Sequence, residues 1–235
     1  MKTNKIYQKF AKYYDMIYGR IFYRDYARFI KKIVIKEKLH GGKLLDAGCG
    51  TGLFIKEFKK IYPDVFTFGF DPSKSMLDVA KKRNRGTVFY RSSFDNFSVS
   101  EKFDVIISTF DSINYILNLN QLKNVFKNIV KHLEKKGAFI FDFNTNFKKL
   151  KPIIKKRNAR LINEIRRGKF WHSYITIKDG KKEFREEHVE RLYSLSEIKS
   201  ALKKSGFSNL KVYSDLNGSR KIVGAARLFI VAKKM

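Results

Sequence analysis

Hydrophobic positions change their period along this chain of 235 residues, and the changes divide it into four stretches. In the first, Ile6, Phe10, Tyr14 and Ile17 recur at i, i+4, i+8 and i+11, one apolar stripe of a helix. Gly19 breaks the stripe, a second helix is predicted from about Arg24 to Leu39, and His40-Gly41-Gly42 ends it. From Lys43 to about Phe143 short apolar runs alternate with helical patterns. Leu44-Leu45, Val65 to Phe70, Thr87 to Arg91, Phe103 to Thr109 and Lys136 to Asp142 read as five strands. Such alternation predicts an α/β unit with a parallel sheet and right-handed crossovers. Between Asn144 and Tyr193 the alternation lapses. Phe170 to Ile177 and Lys182 to Val189 flank Asp179-Gly180, a hairpin signal that predicts a small antiparallel sheet inserted after the fifth strand. Ser194 and Glu197 form a capping box for a helix to about Ser205, and strands follow at Leu210–Tyr213 and Ala226–Ala232. The expected organisation is one domain over 1–235, with helices in 1–42, a core in 43–143, the insertion in 144–193 and a closing helix and strand pair in 194–235.

The chemistry concentrates in Leu44-Leu45-Asp46-Ala47-Gly48-Cys49-Gly50-Thr51-Gly52. A strand, a tight glycine turn and a helix start let a backbone approach a nucleotide closely. Dinucleotide folds show G-x-G-x-x-G, where helix-terminal amides meet a pyrophosphate. Here the spacing is G-x-G-x-G, with an acid two positions before the first glycine. That acid repels a pyrophosphate but attracts the amino group of a cationic amino-acid cofactor.

These residues resemble the first motif of the class I S-adenosylmethionine (SAM)-dependent methyltransferases. Three further segments continue the resemblance in order: Asp71, Ser73, Met76 and Leu77 match D-x-S-x-x-M-L, Asp104 opens an apolar fourth strand, and Lys136-Gly137 enters a fifth. The resemblance implies a Rossmann-like sheet of seven strands with the last antiparallel. It implies SAM as cofactor, held by Asp46, Ala47, Gly48, Gly50 and Gly52 of the turn, Asp71, Pro72 and Met76 of the second motif, and Thr109 after the fourth strand. The acid that usually meets the adenine amino group is replaced by Ser93, with Phe94 beside it and Asp95 within reach. Tyr14-Asp15-Met16-Ile17-Tyr18 is similar to a lid helix of small-molecule methyltransferases, including those acting on amino sugars. By that likeness Tyr14 and Tyr26 touch cofactor or substrate; otherwise they pack in the core. Glu186 to Tyr193 is similar to an E-x-H-x-E-R-x-Y pattern in the insertion of bacterial members, which sets substrate choice or builds a dimer contact.

Asp111 and Asn114 follow the fourth strand and face the expected reaction space, or Asp111 caps the next helix. Trp171 and His172 are expected to floor a substrate pocket. A neutral amine acceptor needs no dedicated base, whereas an oxygen acceptor more often wants one, for which His172, His188 and Asp111 are candidates; Tyr14 is a further catalytic candidate. Thr109-Phe110-Asp111-Ser112 stands where enzymes of flipped DNA bases carry N-P-P-Y. Cys49 is the single cysteine and reads as a small turn residue, and the four histidines lack metal-ligand spacing, so no metal is expected.

Lys and Arg total 51 against 22 acids, a net charge of +29. That excess allows a nucleic-acid partner and an RNA methyltransferase as the alternative function, although coding bias also raises lysine. A non-catalytic SAM-binding protein is a further alternative. No apolar run approaches the ~18 residues of a membrane span and no signal-peptide pattern opens the chain, so a cytoplasmic protein is expected, monomer or homodimer. The leading expectation is methyl transfer from SAM to a small-molecule N or O acceptor.

Overall fold

The computed structural model describes residues 11–18, 20–39, 42–146, 155–156, 159–179 and 182–235. Helices α1 (Ala11–Tyr18) and α2 (Arg20–Lys36) precede the alternating unit β1 (Lys43–Ala47), α3 (Leu53–Ile61), β2 (Phe66–Asp71), α4 (Lys74–Arg83), β3 (Val88–Arg91) and β4 (Phe103–Ser108). A 3-10 turn at Ser112–Tyr115 leads to α5 (Leu119–His132) and β5 (Leu133–Asn144). The insertion holds β6 (Lys155–Lys156), β7 (Ala159–Arg167), β8 (Phe170–Asp179) and β9 (Lys182–Arg191), and α6 (Leu195–Lys203), β10 (Phe207–Tyr213) and β11 (Arg227–Lys234) close the chain. The start of the predicted apolar stripe, Ile6 and Phe10, lies outside the described residues. The second helix begins four residues earlier than its pattern suggested, at Arg20, because Phe22 and Tyr23 pack inward although they sit outside the expected stripe.

Seven strands form one sheet in the order β10-β11-β5-β4-β1-β2-β3, and only β11 runs against its neighbours. The sheet is covered on both sides, which explains why its strands read as continuous apolar runs. Leu44, Val105, Ile107 and Ile140 face α1, α2 and α3, while Leu45, Ile106, Phe139 and Phe141 face α5 and α6. Parallel register places the ends of β1, β2 and β4 together, with Ala47 beside Phe70 and Asp46 beside Ile107. The first crossover starts at this common edge. The insertion forms a separate antiparallel sheet, β6-β7-β8-β9, with Asp179 paired to Lys182 across the predicted hairpin. The capping box at the start of α6 is complete: Ser194 accepts from Glu197 N, and Glu197 accepts from Ser194 N.

One glycine is demanded by both backbone and packing. Gly52, at the start of α3, has φ 68°, and a Cβ there would stand 2.5 Å from Asn84 Nδ2 and 3.1 Å from Ala80 Cβ. Asn84 in turn donates to the carbonyl of Gly52 at 2.9 Å, so the end of α4 is fastened to the glycine turn. A left-handed conformation costs a non-glycine residue about 1–2 kcal/mol before any clash. Gly52→Ala should therefore lower unfolding stability by about that much or more, read as a shifted urea midpoint without change in slope.

Candidate active site

The glycine turn is held by the end of β2. Gly48 N and Cys49 N both donate to the carbonyl of Phe70 at 2.9 Å, and Gly50 N donates to Asp71 Oδ2 at 3.0 Å. Asp71 Oδ1 accepts from Ser73 N at 2.8 Å. Burial pushes the Asp71 carboxyl up to about 6, against the opposing pull of those two amides. Gly48 lies between Phe94 and Ser112, where an added Cβ would meet Ser112 Oγ at 3.1 Å and Phe94 Cε2 at 3.6 Å, whereas a Cβ on Gly50 meets nothing within 4 Å.

Asp46 is the anomaly of this turn. It is 1% exposed, and neither carboxylate oxygen has a hydrogen-bond partner among the described residues. Burial, assisted by the charge of Asp71, pushes its pKa up to about 8. A buried carboxylate without a donor is costly, so the site fits a ligand that brings a cation or N–H groups of its own. An amino-acid cofactor with an ammonium and a sulfonium supplies that, and Asp71 retains lone pairs for ribose hydroxyls.

The remaining expected cofactor residues separate into two groups. Phe94 borders the turn and packs edge-on against Phe70 at 5.4 Å. Ser93 ties its amide and hydroxyl to Asn96 Oδ1 at 2.8 and 2.9 Å. Asp95 is exposed and accepts from Gln121 Nε2. Thr109 is buried, with its carbonyl accepting from Ser112 Oγ at 2.9 Å. Ala47 and Met76 belong to the core, and Pro72 is exposed.

Helix α1 is latched to the turn. Thr51 Oγ1 donates to Asp15 at 2.6 Å, Arg83 donates to Thr51 Oγ1 at 2.8 Å, and Arg83 pairs with Asp15. Beside the latch an aromatic cluster forms. Tyr23 stacks on Phe110 at 5.6 Å, Phe22 meets Phe110 at 4.8 Å, and Tyr23 Oη donates to Tyr14 Oη at 3.3 Å. Burial raises the Tyr23 hydroxyl pKa, and Asp15, Asp46 and Asp111 all add to the rise, which places Tyr23 between the turn and the loop after β4. Sequence reasoning missed Tyr23 because it fell between the two predicted helices. Tyr26, by contrast, is fully buried, and its hydroxyl donates to Asp142 at 2.7 Å.

Asp111 does not cap the following turn by its side chain. Phe110 and Asp111 are both left-handed (φ 60° and 53°), a conformation costing about 1–3 kcal/mol each in such residues. The carboxylate is turned inward to Asn144 and to Arg227 Nη2 at 3.2 Å. Arg227 Nη1 holds Asp142 at 2.6 Å, and Asp142 accepts the Asp111 amide at 3.0 Å. Burial alone would lower the Arg227 pKa, but Asp111 and Asp142 outweigh it and keep the guanidinium charged. Asn114 is likewise interior: it donates to the carbonyls of Asn144 and Arg191 at 3.0 and 2.7 Å.

Trp171 and His172 do not share a pocket, because consecutive residues of a strand point to opposite faces. Trp171 is buried with Leu192. His172 lies on the other face, where Glu187 Oε1 sits 2.9 Å from its Nδ1 and accepts from Tyr174 Oη at 3.1 Å. The face of Trp171 carries Glu186, His188 and Glu190 of β9. His188 is 2% exposed, 2.9 Å from Tyr115 Oη by Nδ1 and 3.6 Å from Glu186 Oε2 by Nε2. His188 reaches Tyr115 and Arg227 feels the charge of Glu190, so this face looks onto the segment after β4. Arg191 anchors the sheet there, donating to Leu117 O at 3.2 Å and pairing with Glu197 at 3.1 Å.

The sheet order is that of a SAM-dependent methyltransferase. Residues 18–212 match the family model described as a methyltransferase domain, and the chain belongs to that family. A putative methyltransferase of Geobacillus sp. (strain WCH70) is 26% identical over 97% of this chain and 99% of its own. A dTDP-3-amino-3,4,6-trideoxy-alpha-D-glucopyranose N,N-dimethyltransferase of Streptomyces venezuelae is 27% identical over 83% of this chain and 89% of its own. The crystal structure of a SAM-dependent methyltransferase from Clostridium acetobutylicum ATCC 824 superposes with a TM-score of 0.84 at 27% identity, covering 97% of this chain and 98% of that one. The cofactor is SAM. No helix among the described residues is long and apolar enough to cross a membrane.

The raised Asp46 pKa has two linked consequences. Without ligand, the stability that protonated Asp46 contributes is full below its unfolded value near 4 and is lost as pH rises through about 8. A cation bound against Asp46 favours the ionised form, so SAM affinity should rise from pH 6 to 8 and this rise should vanish in Asp46→Asn. Calorimetric titration checks both, and Asp46→Ala and Asp71→Ala should each abolish micromolar binding.

Proposed function

We propose that this enzyme transfers a methyl group from SAM to the nitrogen of a small-molecule amine, with Asp46, Asp71, the glycine turn and Phe94 holding the cofactor. When bound, SAM supplies an electrophilic methyl group and takes the bonding electron pair back onto sulfur. The observation that carries the choice of acceptor is the inner face of the insertion, where Glu186, His188 and Glu190 share one side of β9 that looks onto the segment after β4. The nearby cation, Arg227, is already neutralised by Asp111 and Asp142. Such an enclosure attracts a cationic amine. The Streptomyces venezuelae relative, named for an amino sugar, supports the same chemistry. The protein's part is to orient donor and acceptor and to exclude water, functions that suit the α1 latch, the aromatic cluster and the insertion. Labelled SAM offered to a metabolite pool and to total RNA should place the label in small amines; label in RNA would overturn this reading.

A second reading has one observation in its favour, the net charge of +29, which suits a polyanionic partner. On that reading, neutralising Lys155, Lys156 and Arg157 weakens retention on RNA and flattens its dependence on salt. Retention unchanged by these substitutions is the outcome expected of a small-molecule enzyme.

A further inference from the structure

We propose that Tyr115, His188 and Glu186 form a relay that removes the proton from the methyl acceptor, with Tyr115 meeting the acceptor and His188 receiving the proton. The proposal rests on the amine reading above. An amine that arrives as an ammonium has no lone pair, so a proton must leave before the C–N bond can form.

The geometry begins in the 3-10 turn. Side chains three apart in such a turn eclipse one another, about 6 Å apart along its axis. Tyr115 therefore shares an edge with Ser112, whose Oγ borders Gly48 of the cofactor turn. The Tyr115 ring is half-buried, whereas His188 behind it is almost wholly enclosed. Tyr115 Oη lies 2.9 Å from His188 Nδ1, within hydrogen-bond reach. On the far side Glu186 Oε2 is 3.6 Å from Nε2, an ion-pair distance. A carboxylate there favours the tautomer with hydrogen on Nε2, and the basic Nδ1 is then the atom that holds the tyrosine hydroxyl.

The charges on this face are of both signs. Glu186 and Glu190 lie on the strand of His188, Asp111 comes from the loop after β4 already paired with Arg227, and Tyr115 comes from the 3-10 turn; Trp171 and Ser173 of the neighbouring strand bring no charge. The imidazolium formed by proton uptake thus meets the Glu186 carboxylate, which stabilises it. As the acceptor gives its proton to Tyr115 Oη, the tyrosine proton passes to His188 Nδ1. The nitrogen lone pair so released makes the new bond to the methyl carbon. After the product leaves, the proton returns to water through Tyr115.

Two measurements on the full chain test the relay. The first needs no acceptor: imidazole 15N spectra with S-adenosylhomocysteine bound should show His188 with hydrogen on Nε2 and Nδ1 as an acceptor, a signature lost in Tyr115→Phe. Hydrogen on Nδ1 overturns the proposal, since that nitrogen cannot then take the tyrosine proton. The second uses the amine identified with labelled SAM. Tyr115→Phe and His188→Gln should lower kcat about 100-fold while SAM binding is kept, and the deficit should shrink at high pH, where the amine arrives neutral. An unchanged kcat, or a deficit independent of pH, overturns it. If the enzyme methylates no amine, the acceptor reading fails, and the tautomer still decides the relay.

Discussion

A buried guanidinium between two carboxylates organises the mouth of this enzyme. Arg227 stands at the start of β11, Asp142 near the end of β5 and Asp111 in the loop after β4, so one cation joins three elements that are distant in sequence. Removing one partner of such a group leaves an uncompensated buried charge, a penalty of about 3–5 kcal/mol, which makes the arrangement all-or-none. Tyr26 of α2 binds the same Asp142, and Phe22 and Phe110 lie under the guanidinium at 5.6 and 5.2 Å. The antiparallel last strand is thus coupled to the N-terminal helices, and the strained backbone at Phe110 and Asp111 is held by the ties it makes possible.

The charge in this mouth is answered within the protein; the charge at Asp46 is not. Asp71 shares its carboxylate between two backbone amides, while Asp46 has burial and a like charge for company. Arg227 is compensated by its own neighbours, whereas the buried Asp46 carboxyl has no hydrogen-bond partner among the described residues.

The parallel sheet and the glycine turn were legible because their determinants are local. Alternating apolar runs require a doubly covered sheet, and glycines with positive φ at 48, 50 and 52 mark the turn that follows β1. The insertion was legible as a hairpin but not as a surface. Trp171 and His172 are neighbours in sequence and opposite in space, so strand alternation placed His188, not His172, over the loop after β4. Tyr23 lies within α2 but fell between the two predicted helices, outside the stripe by which aromatic residues were assigned. Asp111 followed a strand and preceded a turn, the usual place of a cap, yet a partner 116 residues away claimed its side chain.

By itself the sequence determined the order of strands and helices, the place of the glycine turn and the acids beside it, since each follows from spacing within a few residues. Tertiary structure alone decided which side chains share the mouth: Arg227 with Asp111, Tyr115 with His188, and Asp15 with Thr51 and Arg83. Those partners are separated by tens of residues, and their meeting depends on the sheet order and the register of β8 against β9. A chain pattern records how a residue is spaced from its neighbours, but a charge is satisfied by whatever the fold brings within a few ångströms of it.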